Sequence, residues 1–213
     1  MIELPRIDKA SAGMLIVDMQ NGFCHPRGEL GRRGQGAALQ AVVPHVEALV
    51  DVARRVGLRV YWSRQEHEAE DVTRRDHRIK THISKNQHLP CLRGTWDAEI
   101  VDDLREVVTE SDYVFAKHRA SCFYNTTLEV ALRMRGTRTL IIAGVTTNYC
   151  VDATIRDAYA RDFDVVLVRD CCAARDLELH EATIRNTELF HGAVCTLSQL
   201  KGHLFGAESH RDQ

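Results

Sequence analysis

Thr139-Leu140-Ile141-Ile142-Ala143-Gly144-Val145-Thr146-Thr147-Asn148-Tyr149-Cys150 reads as a strand apolar on both faces, then a Gly and Thr turn, then the entry to a helix. That helix continues through Val151-Asp152-Ala153-Thr154-Ile155-Arg156-Asp157-Ala158-Tyr159. A strand without polar alternation belongs in a sheet covered on both sides. A thiol on the first turn of the following helix faces unpaired backbone N–H groups and the positive end of the helix dipole, and both favour thiolate. Cys150 is therefore placed as a nucleophile. Two more polar residues close apolar strands: Asp18 after Gly13-Met14-Leu15-Ile16-Val17, and Lys117 after Tyr113-Val114-Phe115-Ala116. In a parallel sheet the three groups converge on one edge, where open α/β folds carry their chemistry.

The same alternation runs along the chain. Strands are predicted at roughly 12–17, 58–63, 112–116, 138–144, 164–168 and 193–196, and helices at roughly 39–56, 97–108, 125–136, 150–161 and 178–190. Leu39, Val42, Val43, Val46, Leu49, Val50 and Val52 give the first long helix its apolar stripe, and Gly57 ends it. Asn125-Thr126-Thr127 caps another, which Gly136 stops. The predicted fold is α/β: a doubly wound three-layer sandwich around a six-stranded, mostly parallel sheet. The exception is 64–95, charged and rich in histidine, which reads as a functional loop, either a lid or a subunit contact. The tail 203–213 reads as frayed.

A chain of 213 residues is read as one domain, 1–213, large enough for a sizeable core. A formal charge of −2 gives no reason to expect nucleic acid or an anionic membrane as partner. The longest apolar runs are strand-sized, and Met1-Ile2-Glu3-Leu4-Pro5-Arg6 has no signal pattern, so a cytoplasmic location is expected. The seven cysteines lack CxxC pairs and disulfide-framework spacing. Free thiols are expected, and Cys171 and Cys172, placed just after a strand, are read as packing.

Four motifs, in order, resemble the isochorismatase-like cysteine hydrolases over nearly the whole chain: Leu15-Ile16-Val17-Asp18-Met19-Gln20-Asn21-Gly22-Phe23, Ala116-Lys117-His118-Arg119-Ala120-Ser121-Cys122-Phe123, Ala143–Val151 and Val168–Ala174. That superfamily includes nicotinamidases, N-carbamoylsarcosine amidases, and maleamate, ureidoacrylate and biuret hydrolases. The resemblance implies an Asp18–Lys117–Cys150 triad. In it Cys150 attacks a carbonyl carbon, Asp18 takes the thiol proton and returns it to the leaving amine, and Lys117 steadies both charges. It also implies a cis peptide between Val145 and Thr146, which aims the N–H groups of Thr146 and Cys150 at the developing oxyanion. The implied partners are a small-molecule substrate and further copies of the chain in a dimer or tetramer.

Nicotinamidases place an aspartate of a metal site where Gln65-Glu66-His67 begins here. A glutamine supplies no carboxylate ligand, so neither a metal nor another cofactor is expected, and His67, His77, His82 and His88 read as loop histidines. Arg175 is the candidate clamp for a substrate carboxylate, with Arg119 and Arg64 as rivals and pairing to Asp176 or Glu178 as the plainer alternative. Phe23, Tyr124 and Tyr149 are candidate pocket walls. The implied activity is hydrolysis of a C–N bond in a small carboxylate-bearing amide, ureide or N-carbamoyl compound, through a thioester and with release of ammonia. A nicotinamidase, an isochorismatase acting by acid chemistry, and a silent binding protein are the alternatives.

Overall fold

Six aliphatic runs form one all-parallel sheet in the order β3-β2-β1-β4-β5-β6: β1 (Ala12–Val17), β2 (Arg59–Gln65), β3 (Tyr113–Lys117), β4 (Thr139–Val145), β5 (Asp164–Ala173) and β6 (Ala193–Cys195). The computed structural model describes residue 4, residues 6–72 and residues 89–206. The helices in chain order are α1 (Asn21–Cys24), α2 (Glu29–Arg32), α3 (Ala37–Ala41), α4 (Val43–Arg55), α5 (Leu128–Met134), α6 (Asp152–Tyr159), α7 (Leu177–Phe190) and α8 (Leu197–Gly206). Every residue of β1 and β4 is buried, which is why neither shows polar alternation. None of the described helices is long and apolar enough to cross a membrane.

The order of strands positions the site. From β1 the chain winds outward through β2 to β3, then crosses back to β4 and winds outward the other way. The reversal lies between β1 and β4, and the crevice beyond their C-terminal ends is where a doubly wound sheet takes its ligand. Asp18 leaves β1 with φ 52°, a left-handed turn that aspartate tolerates better than most residues. Gly144, with φ 117°, lets β4 pass close to β1; a Cβ there would sit 2.1 Å from the carbonyl oxygen of Val17. The Val145–Thr146 peptide is cis, as the resemblance implied.

Several boundaries differ from the sequence reading, each for a physical reason. The predicted helix 39–56 is two helices, because Pro44 at the first turn of α4 lacks an N–H and crowds the carbonyl one turn back. The predicted helix 97–108 is two 3₁₀ segments, Trp96–Ala98 and Asp102–Val107. The helix expected to begin at Asn125 starts at Leu128, since Asn125 turns with φ 51°. Cys150 is not on the first turn of an α-helix but in a π-helical turn, Thr147–Val151, that feeds α6. β5 runs five residues past its predicted end, because a register shift between Ile142 and Gly144 lets Cys172 and Ala173 pair with the end of β4. Cys171 and Cys172 are therefore strand residues, and both are buried as packing groups. The tail is not frayed from residue 203, for Leu200 and Leu204 bury one face of α8. His77, His82 and His88 lie outside the described residues.

Candidate active site

Register brings the polar residues together. Gln65 pairs with Lys117, and Ser63 with Val17, so the ends of β1, β2 and β3 lie side by side. Strand spacing of about 4.8 Å puts β3 roughly 10 Å from β1, a gap that only a long side chain arching over β2 can close. Lys117 does so: Nζ lies 2.7 Å from Asp18 Oδ2, with both side chains fully buried. The ammonium also donates to Gln65 Oε1 at 2.9 Å, to the carbonyl of Arg119 at 3.0 Å and to Cys150 Sγ at 3.4 Å. Ser63 Oγ donates to Asp18 Oδ1 at 2.6 Å. Asp18, Lys117 and Cys150, proposed from three separate strand ends, form one contact cluster.

Burial raises the Cys150 thiol above its ordinary range; the nearby ammonium opposes that shift and Asp18 adds to it. Lys117 is held above its usual value: burial disfavours the ammonium, but Asp18, Cys150 and Cys122 around it outweigh that penalty. The π-helical turn is fixed from two sides. Thr154 Oγ1 donates to the Cys150 carbonyl at 2.7 Å, and Thr147 Oγ1 lies 2.9 Å from His180 Nδ1 on α7. Burial lowers the pKa of His180.

Cys24, Cys91, Cys122, Cys150, Cys171, Cys172 and Cys195 are all raised, each chiefly by burial, with Cys122 pushed up to about 11. Above about pH 8.5 the unfolded chain releases thiol protons that the folded chain keeps, so stability is full below that pH and falls as pH rises toward the folded values. Urea unfolding is expected to lose about 1.4 kcal/mol per pH unit for each such thiol above about pH 9. A stability profile flat to pH 10.5 would contradict this.

Of the cluster, Cys150 lines a cavity of about 930 Å³ whose lining also includes Phe23, Gln65, Arg119, Thr146, Tyr149 and Arg175. Cys150 is the one thiol among the described lining residues. Arg175 donates to Gln35 Oε1 at 2.7 Å and, among the described residues, makes no ion pair with Asp176 or Glu178. Arg119 also lines the cavity but is tied to Asp71 at 3.1 Å. Arg64 is engaged elsewhere, by Glu66 at 3.1 Å and Glu99 at 3.0 Å, and Tyr124, 53% exposed, does not line the cavity. Both are set aside as substrate contacts: Arg64 is neutralised by its neighbours, and Tyr124 is exposed outside the cavity lining. His67 is buried on the cavity wall rather than solvated. Ser63 was not singled out from the sequence, because a serine inside a strand carries no local signal.

A model of the isochorismatase domain matches residues 12–199. The chain belongs to the isochorismatase family. Within that family it is 34% identical over 218 residues to the ureidoacrylate amidohydrolase RutB of Methylorubrum extorquens, covering 96% of this chain and 87% of that protein. It is 35% identical over 177 residues to an Arabidopsis thaliana protein described as "Probable inactive nicotinamidase", covering 82% and 86% of the two chains. The crystal structure of N-carbamoylsarcosine amidase from Thermoplasma acidophilum superposes with a TM-score of 0.69 at 26% identity, covering 87% of this chain and 96% of that one. The family and the amidohydrolase relative mark the chain as a hydrolase, and the doubly wound sheet read from the sequence is the one observed.

Proposed function

We propose that this protein is a cysteine amidohydrolase acting on a small, carboxylate-bearing ureide or N-carbamoyl compound. One observation carries the reading: a thiol lining a cavity, 3.4 Å from an ammonium that is itself 2.7 Å from a buried carboxylate. Asp18 accepts the thiol proton as Sγ attacks the scissile carbonyl carbon. Lys117 stays protonated and offsets the negative charge that would otherwise accumulate on sulfur and carboxylate together. The backbone N–H groups of Thr146 and Cys150 take the oxyanion. Collapse of the tetrahedral intermediate breaks the C–N bond, Asp18 returns the proton to nitrogen, and ammonia leaves. Water then cleaves the thioester by the same path in reverse. Vinyl-ether cleavage by acid chemistry needs no thiol, which favours the amide reading over an isochorismatase activity.

The lining of the cavity supports a carboxylate on the substrate. Arg175 has a neutral glutamine as partner, and exchanging it for a carboxylate gains a charge-assisted bidentate bond. The name of the Methylorubrum relative points to the same class, since ureidoacrylate is a ureide that carries a carboxylate. Ammonia release from ureidoacrylate, N-carbamoyl amino acids, maleamate, biuret and nicotinamide tests the proposal. The carboxylate-bearing ureides are expected to lead, and turnover of nicotinamide alone, or of none, would contradict it. Arg175→Ala is expected to raise KM roughly 10- to 100-fold for carboxylate-bearing substrates with little change in kcat. Equal effects on charged and uncharged substrates would remove the clamp.

The Arabidopsis relative favours one second reading, a member that has lost catalysis. Iodoacetamide separates the two: one fast thiol, mapped to Cys150, fits the enzyme, whereas uniformly slow labelling of all seven fits the silent protein.

A further inference from the structure

Gln65 holds a side-chain amide whose two ends are treated differently. Oε1 accepts from Lys117 Nζ at 2.9 Å. An ammonium has only donors, so this contact fixes which end of the amide is oxygen. Nε2 is thereby left as a two-proton donor, buried, with no hydrogen-bond partner among the described residues. Such an orphan costs about 1–3 kcal/mol in a folded protein, and native structures rarely keep one without use. The residue cannot readily swing away, because Gln20 grips its backbone: Gln20 Oε1 accepts from the Gln65 N–H at 2.7 Å and Gln20 Nε2 donates to the Gln65 carbonyl at 2.9 Å. Gln20 is itself fully buried, and its Nε2 donates again to the carbonyl of Ala98 at 2.7 Å. Gln65 is 4% exposed, and it lines the cavity together with Cys150.

We propose that Gln65 is a specificity-determining residue that donates its Nε2 protons to a second oxygen acceptor of the substrate, a carbonyl or carboxylate oxygen close to the scissile carbonyl. The inference rests on the amidohydrolase reading and narrows its substrate class to ureides and amides bearing such an acceptor. Simple alkyl ureas and alkyl amides leave the donor orphaned and are turned away. Sites built to hydrogen-bond a substrate group discriminate strongly against analogues lacking it, because the buried partner is then unpaired.

N-acetylurea and N-isopropylurea form a matched pair, differing by a carbonyl oxygen in place of a methyl group. Ammonia release from each is measured with the wild type, Gln65→Leu and Gln65→Asn, and each compound is also tested for protection of Cys150 against iodoacetamide. The ratio of kcat/KM for the two ureas is compared between variants, so their intrinsic reactivity difference cancels. Gln65→Leu also removes an acceptor from Lys117 and is expected to slow both ureas, but to lower the ratio roughly 10- to 100-fold because N-acetylurea loses its donor as well, with partial recovery in Gln65→Asn. A purely structural role for Gln65 would lower both rates together and leave the ratio unchanged, which overturns the proposal. Fast labelling of wild-type Cys150 with neither turnover of nor protection by either urea also overturns it while leaving the nucleophile in place. Slow, uniform labelling of all seven thiols overturns the underlying amidohydrolase reading instead.

Discussion

Replacing Lys117 with methionine is expected to destabilise the fold by about 3–5 kcal/mol and to abolish turnover. The stability loss follows from burial. With both side chains fully out of water, removing the ammonium leaves the Asp18 carboxylate as an uncompensated interior charge. Gln65 Oε1 and the Arg119 carbonyl also lose their donor. The double variant Asp18→Asn/Lys117→Met removes both charges at once and is expected to recover most of the stability without recovering activity. Urea unfolding of the two single variants, the double variant and the wild type measures the coupling. A Lys117→Met protein as stable as the wild type would mean that the pair is not the buried contact seen here. Recovery of activity in the double variant would remove both residues from the chemistry.

The second large effect concerns the sulfur. Cys150→Ala is expected to lower kcat on the order of 10⁴-fold or more while leaving stability near the wild-type value. Among the described residues, no other group of similar nucleophilicity lines the cavity to offer a substitute route through a covalent intermediate. The fold should tolerate the change, because the turn is held by Thr154 and His180 rather than by the thiol. Cys150→Ser keeps the shape but offers an alcohol, a far weaker nucleophile beside a carboxylate base, and should be almost as inactive. Retention of more than a tenth of the wild-type rate in either variant would make the sulfur a bystander.

The sequence exposed the three reacting groups because each interrupts a buried apolar strand at its end. Asp18 after Val17, Lys117 after Ala116 and Cys150 beyond Val145 are polar residues where nothing in core packing requires one. The groups that tune them were harder to see. Ser63 looks like any strand serine, and its bond to Asp18 exists only because the register sets it opposite Val17. Gln65 was read as a weakened metal position, whereas its carbonyl oxygen serves Lys117, a contact created by strand pairing between residues 52 positions apart. A five-residue π-helical turn leaves no periodic trace, so the setting of Cys150 was misread as the start of an α-helix. The break before α4 and the existence of α8 were readable, from Pro44 and from the spacing of Leu197, Leu200 and Leu204. The reach of β5 was not readable: Arg169 and Asp170 interrupt its apolar run, and the pairing that extends it is tertiary.

The covalent step is open to direct observation. Acid-quenched samples taken during turnover of a ureide substrate, digested and mapped by mass spectrometry, should show the Cys150 peptide carrying the mass of the retained acyl or carbamoyl group. The adduct should be absent before substrate is added, absent in Cys150→Ala, and lost once substrate is exhausted. Sustained ammonia release with the Cys150 peptide unmodified at every quench time, or an adduct on any other of the seven cysteines, would contradict the account.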